Sequence, residues 1–186
     1  MLEKEIKILD INQEEIIAKL EAFGAKRTFE GFVHDVYYDF PDDQDHKMEE
    51  NKRLFRVRKK EVHMYTIKRK RNKKKDGGEE GVKIADEGER EISDVESFQK
   101  VLDKYGMAKI REKKKFRISY QLMHLEFDID DYFIDNSKII PPLLEIEARS
   151  KDELDIMVKK LLQDHQIETW GSRKLFEHYG QEYNYF

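Results

Sequence analysis

The chain has 186 residues, enough for one ordinary domain, with 41% charged and 38% apolar residues. Thirty-six Lys and Arg stand against 40 Asp and Glu, and the resulting net charge of −4 argues against a strongly basic nucleic-acid binder. There is no cysteine, which excludes disulfides, thiolate metal sites and a Cys nucleophile, so any metal falls to carboxylates, carbonyls or His.

An aromatic content of 11% and clear apolar periodicity set the chain apart from a disordered one. Residues 2–9 alternate, with Leu2, Ile6 and Ile8 on the parity of Lys4 and with Glu3, Glu5 and Lys7 on the other, as in a strand with one apolar and one charged face. Asn12 reads as a helix N-cap with Glu15 completing a capping box; Ile16, Ile17, Leu20 and Phe23 form the stripe that follows, and Gly24 ends it. Residues 32–40 are rich in β formers, and 41–51 read as a polar loop. Two further strands follow. In 53–59, Arg53, Phe55 and Val57 oppose Leu54, Arg56 and Arg58; in 62–70, Tyr65 and Ile67 oppose Thr66, Lys68 and Lys70.

Residues 71–81 are Lys-rich, then Gly- and Glu-rich, and read as a long hairpin loop. A strand near 82–92 has Glu87, Glu89 and Glu91 in phase, and Asp94 is placed to cap a helix that ends at Gly106. Residues 107–120 set Lys113, Lys115 and Arg117 against Phe116 and Ile118, and 122–130 set Glu126, Asp128 and Asp130 against Leu125, Phe127 and Ile129. Ile139-Ile140-Pro141-Pro142 breaks the pattern, after which 143–149 set Glu145, Glu147 and Arg149 against Leu144 and Ile146. Asp152 is expected to open a helix carrying Leu154, Met157, Val158, Leu161 and Leu162, and the aromatic tail 170–186 a short helix with an extended end. His34, His46, His63, His124, His165 and His178 have no ligand spacing and read as surface or packing residues.

A strand with one charged face is ordinary, because sheets routinely show one face to water. Here ionisable residues of both signs recur at i, i+2 on about eight strands, and a closed sheet gathers one parity of every strand into its interior. Lys and Arg bind phosphate oxygens, and a hard divalent cation such as Mg²⁺ or Mn²⁺ bridges carboxylates to phosphates. A lumen with both zones therefore suits a metal–polyphosphate complex.

Several of these segments resemble the CYTH superfamily of triphosphate tunnel metalloenzymes. Glu3-Lys4-Glu5-Ile6-Lys7 matches its ExExK signature, and Tyr37-Tyr38-Asp39 its Tyr-x-Asp region. Leu54-Phe55-Arg56-Val57-Arg58 is similar to its LRxR strand, Tyr65-Thr66-Ile67-Lys68 to its LTxK strand, and Glu89-Arg90-Glu91 to its Glu-x-Glu strand. Lys113–Arg117 matches its basic strand and Leu144-Glu145-Ile146-Glu147 its EIE strand; the resemblance spans roughly 1–149 and weakens to about 179. It implies an α+β fold in one domain over 1–186: an eight-stranded antiparallel closed β-barrel, or tunnel, with peripheral helices.

It also implies site residues, position by position. Glu3, Glu5, Glu145 and Glu147 would hold Mg²⁺ or Mn²⁺. Lys7, Arg56, Arg58, Lys68, Lys70, Lys115 and Arg117 would contact phosphates, with Lys113 in phase. Glu5, Glu89, Glu91 and Asp128 would be the catalytic acids. Three features depart from the family pattern. The link from Asp130 to Pro142 is long and holds two prolines, no Pro follows Lys68-Arg69-Lys70, and Ser172-Arg173-Lys174-Leu175-Phe176 stands near where a Ser-Tyr motif is expected, with Arg173 or Lys174 toward the tunnel mouth.

The implied activity is metal-dependent hydrolysis of inorganic, nucleoside or thiamine triphosphate. Cyclisation of ATP to cyclic AMP and non-catalytic polyphosphate or nucleotide binding are the alternatives. The expected partner is a triphosphate-containing small molecule. The basic run Lys68–Lys75 reads as a solvated hairpin tip rather than an RNA contact. No apolar stretch approaches the roughly 20 residues that span a bilayer, and Met1-Leu2-Glu3-Lys4-Glu5 has no apolar signal-peptide core, so a cytoplasmic location is expected.

Overall fold

The computed structural model describes residues 2–41, 47–48, 53–71, 80–134, 137–161 and 167–181, with backbone alone at Leu2, Glu3, Ile134 and Ser137. In chain order the elements are β1 (Leu2–Ile8), α1 (Gln13–Ala22), β2 (Lys26–Asp39), β3 (Arg53–Lys59), β4 (His63–Lys70), β5 (Lys83–Ile92), α2 (Val95–Lys104), β6 (Ala108–Leu122), β7 (Leu125–Ile134), β8 (Ser137–Lys138), β9 (Leu143–Ala148), α3 (Lys151–Leu161), β10 (Ile167–Glu168) and α4 (Ser172–His178). Most of the expected loop 41–51, residues 72–79 of the Lys-rich segment, and 182–186 of the tail lie outside the described residues.

The helix ends follow from local chemistry. The Asn12 side chain accepts from the Glu15 N–H at 3.2 Å, and Asp94 accepts from Ser97 N–H at 3.0 Å, each satisfying a donor that a helix start leaves open. Gly24 and Gly106 take φ of +82° and +79°, the left-handed conformation that stops a helix and that glycine adopts without strain. α3 begins one residue before Asp152. Its cap is Ser150, whose Oγ accepts from Glu153 N–H at 3.3 Å while Ser150 N–H donates to Glu153 Oε2 at 3.0 Å, a reciprocal box.

The eight long strands close on themselves. Antiparallel pairing runs β1–β5–β4–β3–β2–β6–β7–β9 and returns from β9 to β1, so each long strand pairs with two other long strands. The two-residue strands β8 and β10 lie against β7 and β1. Together with the four helices this is an α+β fold built on an antiparallel sheet. β2 starts six residues earlier than its apolar run, because Lys26–Gly31 pair with the far end of β6.

The apolar core lies outside this ring. Ile6, Ile8, Ile118, Phe127, Ile129, Leu144 and Ile146, on the outward parity of β1, β6, β7 and β9, pack under Ile16 and Leu20 of α1 and Leu154, Met157 and Leu161 of α3. Tyr38, Phe55 and Val57 pack with Ile92 and with Leu102 of α2. Phe55, Tyr65 and Phe98 stack at centroid distances of 5.4–6.2 Å. Leu175 and Phe176 of α4 join Leu9, Tyr132, Ile140 and Leu143 in a third cluster, with Trp170 against it. Hydrophobic burial thus fastens helices around the ring, and the inward parity is left to charged residues.

Candidate functional site

The inward side chains line one cavity of about 840 Å³. Among the described residues its lining contains fourteen Lys and Arg against nine Asp and Glu, in a chain whose net charge is negative, so the lumen carries an excess of positive charge that favours anions. Register explains the pattern, because cross-strand neighbours on the inward parity form charged rows. One row runs Lys83–Glu5–Glu147–Glu126 across β5, β1, β9 and β7; the next runs Lys7–Glu145–Asp128–Ser119 across β1, β9, β7 and β6. On the far side, Arg111–Tyr37–Arg56–Thr66–Glu89 cross β6, β2, β3, β4 and β5, beside Lys113–Asp35–Arg58–Met64–Glu91.

Glu5, Glu145 and Glu147 form the acidic corner. One carboxylate oxygen from each lies within 4.8 Å of the others. Oxygens around an octahedral Mg²⁺ or Mn²⁺ at about 2.1 Å stand about 3–4.2 Å apart, so this all-oxygen set fits such an ion after a small contraction. Lysines neutralise the corner. Lys7 Nζ donates to Glu5 at 2.7 Å and to Glu145, Lys68 Nζ donates to Glu5 at 3.3 Å, and Lys83 Nζ donates to Glu5. Burial works against ionisation of Glu5, but Lys7, Lys83 and Lys68 outweigh it and hold the carboxyl below the usual carboxylate range. The Glu145 carboxyl is held low in the same way, by Lys7, Arg117 and Lys115 against burial. The side chain of Glu3 lies outside the described set; its backbone pairs with Ala85.

The basic wall faces this corner. Arg58 clamps the buried Asp35 with two bonds, Nε at 2.7 Å and Nη2 at 3.0 Å, and Arg56 donates to Thr66 Oγ1 at 3.0 Å and to Glu89 at 3.2 Å. Arg117 forks onto Asp130 at 2.6 and 2.7 Å and also donates to Asp128, and Lys115 donates to Asp130 at 2.7 Å. Lys68 also pairs with Glu87 at 2.6 Å. Burial pushes the Lys113 ammonium down to about 7, with Arg111, Arg56 and Arg58 adding to it against Asp35. Burial and then Arg117 push Lys115 down to about 8, against Asp130. Cations this crowded keep their charge poorly when no anion is bound.

Lys7, Arg56, Arg58, Lys68, Lys70, Lys113, Lys115 and Arg117 therefore share one cavity with Glu5, Glu89, Asp128, Glu145 and Glu147. Glu91 does not: it sits exposed at the end of its row, beyond the lining residues. Arg173 reaches the lining, while Lys174 lies over the Trp170 ring at 4.5 Å. Asp35, Lys83 and Arg111 also face the lumen, and strand parity alone marks them: Asp35 is in phase with Tyr37, Lys83 with Glu87, and Arg111 with Lys113. Asp39, though in phase with Tyr37, turns its carboxylate to the backbone N–H groups of Phe40 and Met48, at 2.8 and 2.6 Å. Asp130 is fully buried and serves as counter-ion to Arg117 and Lys115.

Fold and lining define a closed, charge-lined β-tunnel. The chain belongs to the CYTH domain family, whose model matches residues 1–179. Comparison with curated proteins finds no match. Among solved structures it is similar to the PH1012 protein of Pyrococcus horikoshii OT3, with 24% identity and a TM-score of 0.64 over 88% of this chain and 94% of that one. It is similar to the PH1819 protein of the same organism, with 21% identity and a TM-score of 0.65 over 95% and 98%. The Hippeastrum protein HpAC1, an adenylyl cyclase candidate with a dominant triphosphatase activity, matches at 15% identity and a TM-score of 0.64 over 97% of each chain.

Proposed function

We propose that this chain, as a single unit over 1–186, is a divalent-metal-dependent triphosphatase that hydrolyses inorganic triphosphate or an organic triphosphate, nucleoside or thiamine, inside the tunnel. The observation that carries this reading is the placement of a three-carboxylate corner across one lumen from a wall of guanidinium and ammonium groups. Family membership supports it.

In this reading Glu5, Glu145 and Glu147, with Glu3, would hold Mg²⁺ or Mn²⁺, which would supply charge neutralisation for the phosphate. Arg56, Arg58, Lys68, Lys70, Lys115 and Arg117, with Lys7 and Lys113, grip the phosphoryl oxygens and fix their line. Water adds to the terminal phosphorus while the bridging P–O bond breaks, giving orthophosphate and a diphosphate. The protein contributes mainly position and charge. Asp128 and Glu89 face the lumen as acids that can orient water. Glu5, held ionised by three lysines, acts as ligand and counter-ion rather than as base.

The test is a panel of inorganic triphosphate, thiamine triphosphate and nucleoside triphosphates with Mg²⁺ or Mn²⁺, read for orthophosphate, diphosphate and cyclic nucleotide together. Orthophosphate release supports hydrolysis. Cyclic AMP with diphosphate from ATP would replace it by cyclisation. Tight binding with no product from any member would leave a binding module.

A further inference from the structure

Three lysines meet at Glu5, and they are not equivalent. Lys7 Nζ also donates to Glu145, and Lys68 Nζ also pairs with Glu87 at 2.6 Å. Lys83 has Glu5 as its sole carboxylate partner among the described residues. Register sets Lys83 directly beside Glu5 on β5, with Glu147 directly beside Glu5 on β9, so the Lys83 ammonium approaches Glu5 from the strand opposite the one that completes the acidic corner. It takes the same oxygen, Oε1, that Lys7 takes. Lys83 also lines the lumen, on a flexible four-carbon stem that can carry a point charge from a carboxylate to a phosphate.

We infer that Lys83 is an internal counter-ion that competes with the divalent cation for Glu5 and transfers to the polyphosphate when both ligands are present. The inference rests on the reading of Glu5, Glu145 and Glu147 as the metal corner. Like charges crowd each other at one carboxylate, so a divalent ion arriving at Glu5 displaces the ammonium with least other support, and that is Lys83. The displaced ammonium stays in the lumen, where a phosphate oxygen offers it a new partner. Metal and polyphosphate then assist each other through a residue of the protein as well as through direct contact between the ligands. Lys83 is a positioning residue for both.

The signature is a pair of opposite effects, which an ordinary packing role would not produce. Mn²⁺ affinity is read by electron paramagnetic resonance of the free ion on metal-free protein. Affinity for imidotriphosphate, a non-hydrolysable triphosphate, is read by calorimetry on protein saturated with Mn²⁺, because the ammonium transfers only when both ligands are bound. In Lys83→Met the expected result is Mn²⁺ bound roughly tenfold more tightly and imidotriphosphate roughly tenfold more weakly, within the usual range of coupling between two sites. Lys83→Gln has the same expected signs and guards against a folding defect peculiar to Met. Lys83→Arg keeps the charge and is expected to move both affinities back toward those of the unaltered protein. Unchanged or weakened Mn²⁺ binding in Lys83→Met and Lys83→Gln overturns the inference while leaving the metal corner standing. Absence of Mn²⁺ binding in every protein, with and without imidotriphosphate, removes the metal corner itself and the inference with it.

Discussion

The acidic corner and the basic wall of the tunnel solve the same problem, buried charge, in different ways. In the wall, two arginines are clamped by two-bond forks onto aspartates with almost no solvent exposure, Arg58 on Asp35 and Arg117 on Asp130. In the corner the counter-ions are lysines, single-point donors on long stems, and Lys7 and Lys68 each divide their attention between two carboxylates. A fork holds direction as well as charge, whereas an ammonium is easily traded for another cation. In the proposed function the wall is therefore the part set in advance for phosphate, and the corner the part able to exchange its cations.

The largest expected effect falls on the corner. Glu147→Gln should lower metal-dependent turnover by roughly a thousandfold. Glu5→Gln should lower turnover as far, but it also strips a shared counter-ion from Lys7, Lys68 and Lys83, so a loss of about 3–5 kcal/mol in stability is expected with it. Denaturant unfolding of the two variants separates the effects; equal stability would contradict the role of Glu5 as the hub of the lysines.

The wall is tested by geometry at constant charge. Arg58→Lys keeps a cation beside Asp35 but loses the fork, and binding of triphosphate should weaken by about 1.5–3 kcal/mol, roughly ten- to hundredfold. Undiminished affinity would mean that the wall acts only as a field of positive charge.

A third effect is set by pH. Lys113 and Lys115 sit at about 7 and about 8, below the ordinary lysine value of about 10.4. Between these values the unfolded chain binds more protons than the ligand-free fold, so stability should rise with pH from about 7 toward 10. A bound polyphosphate favours the charged lysines, so binding should take up protons in that range and weaken as pH rises. Calorimetry in two buffers of different ionisation enthalpy measures the uptake, and proton release would reverse the assignment. The smallest effects belong to the tunnel ends. Ser172→Ala removes the acceptor that holds Lys113 Nζ at 2.8 Å and should cost about 1 kcal/mol in binding. Glu91→Gln, outside the lining, should leave turnover within about twofold, as surface changes away from a site usually do.

Much of this arrangement is legible in strand parity. Glu5 and Lys7, Arg56 and Arg58, Lys115 and Arg117, and Glu145 and Glu147 stand at i, i+2 on four strands, and closure of the sheet turns all of them inward. Parity has two blind spots. It does not say where along the tunnel a residue falls, so Glu91 shares the inward phase of Glu89 yet sits at an exposed end of its row. It also does not say which acid lines the lumen and which serves a neighbouring arginine. Asp128 and Asp130 are in phase, but Asp130 is sealed beneath Arg117 and Lys115 while Asp128 lines the cavity. Asp35 and Lys83 acquire their partners from other strands, Arg58 from β3 and Glu5 from β1, and those pairings exist only once the register is fixed.

The most direct measurement is orthophosphate release from inorganic triphosphate by the protein and by Glu147→Gln, each with Mn²⁺ and with EDTA, beside binding of imidotriphosphate to both. The expected result is release by the unaltered protein with Mn²⁺ alone, with imidotriphosphate still bound by Glu147→Gln through the basic wall. Release that persists in EDTA, or full activity in Glu147→Gln, would contradict the division of the tunnel into a metal corner and a phosphate wall.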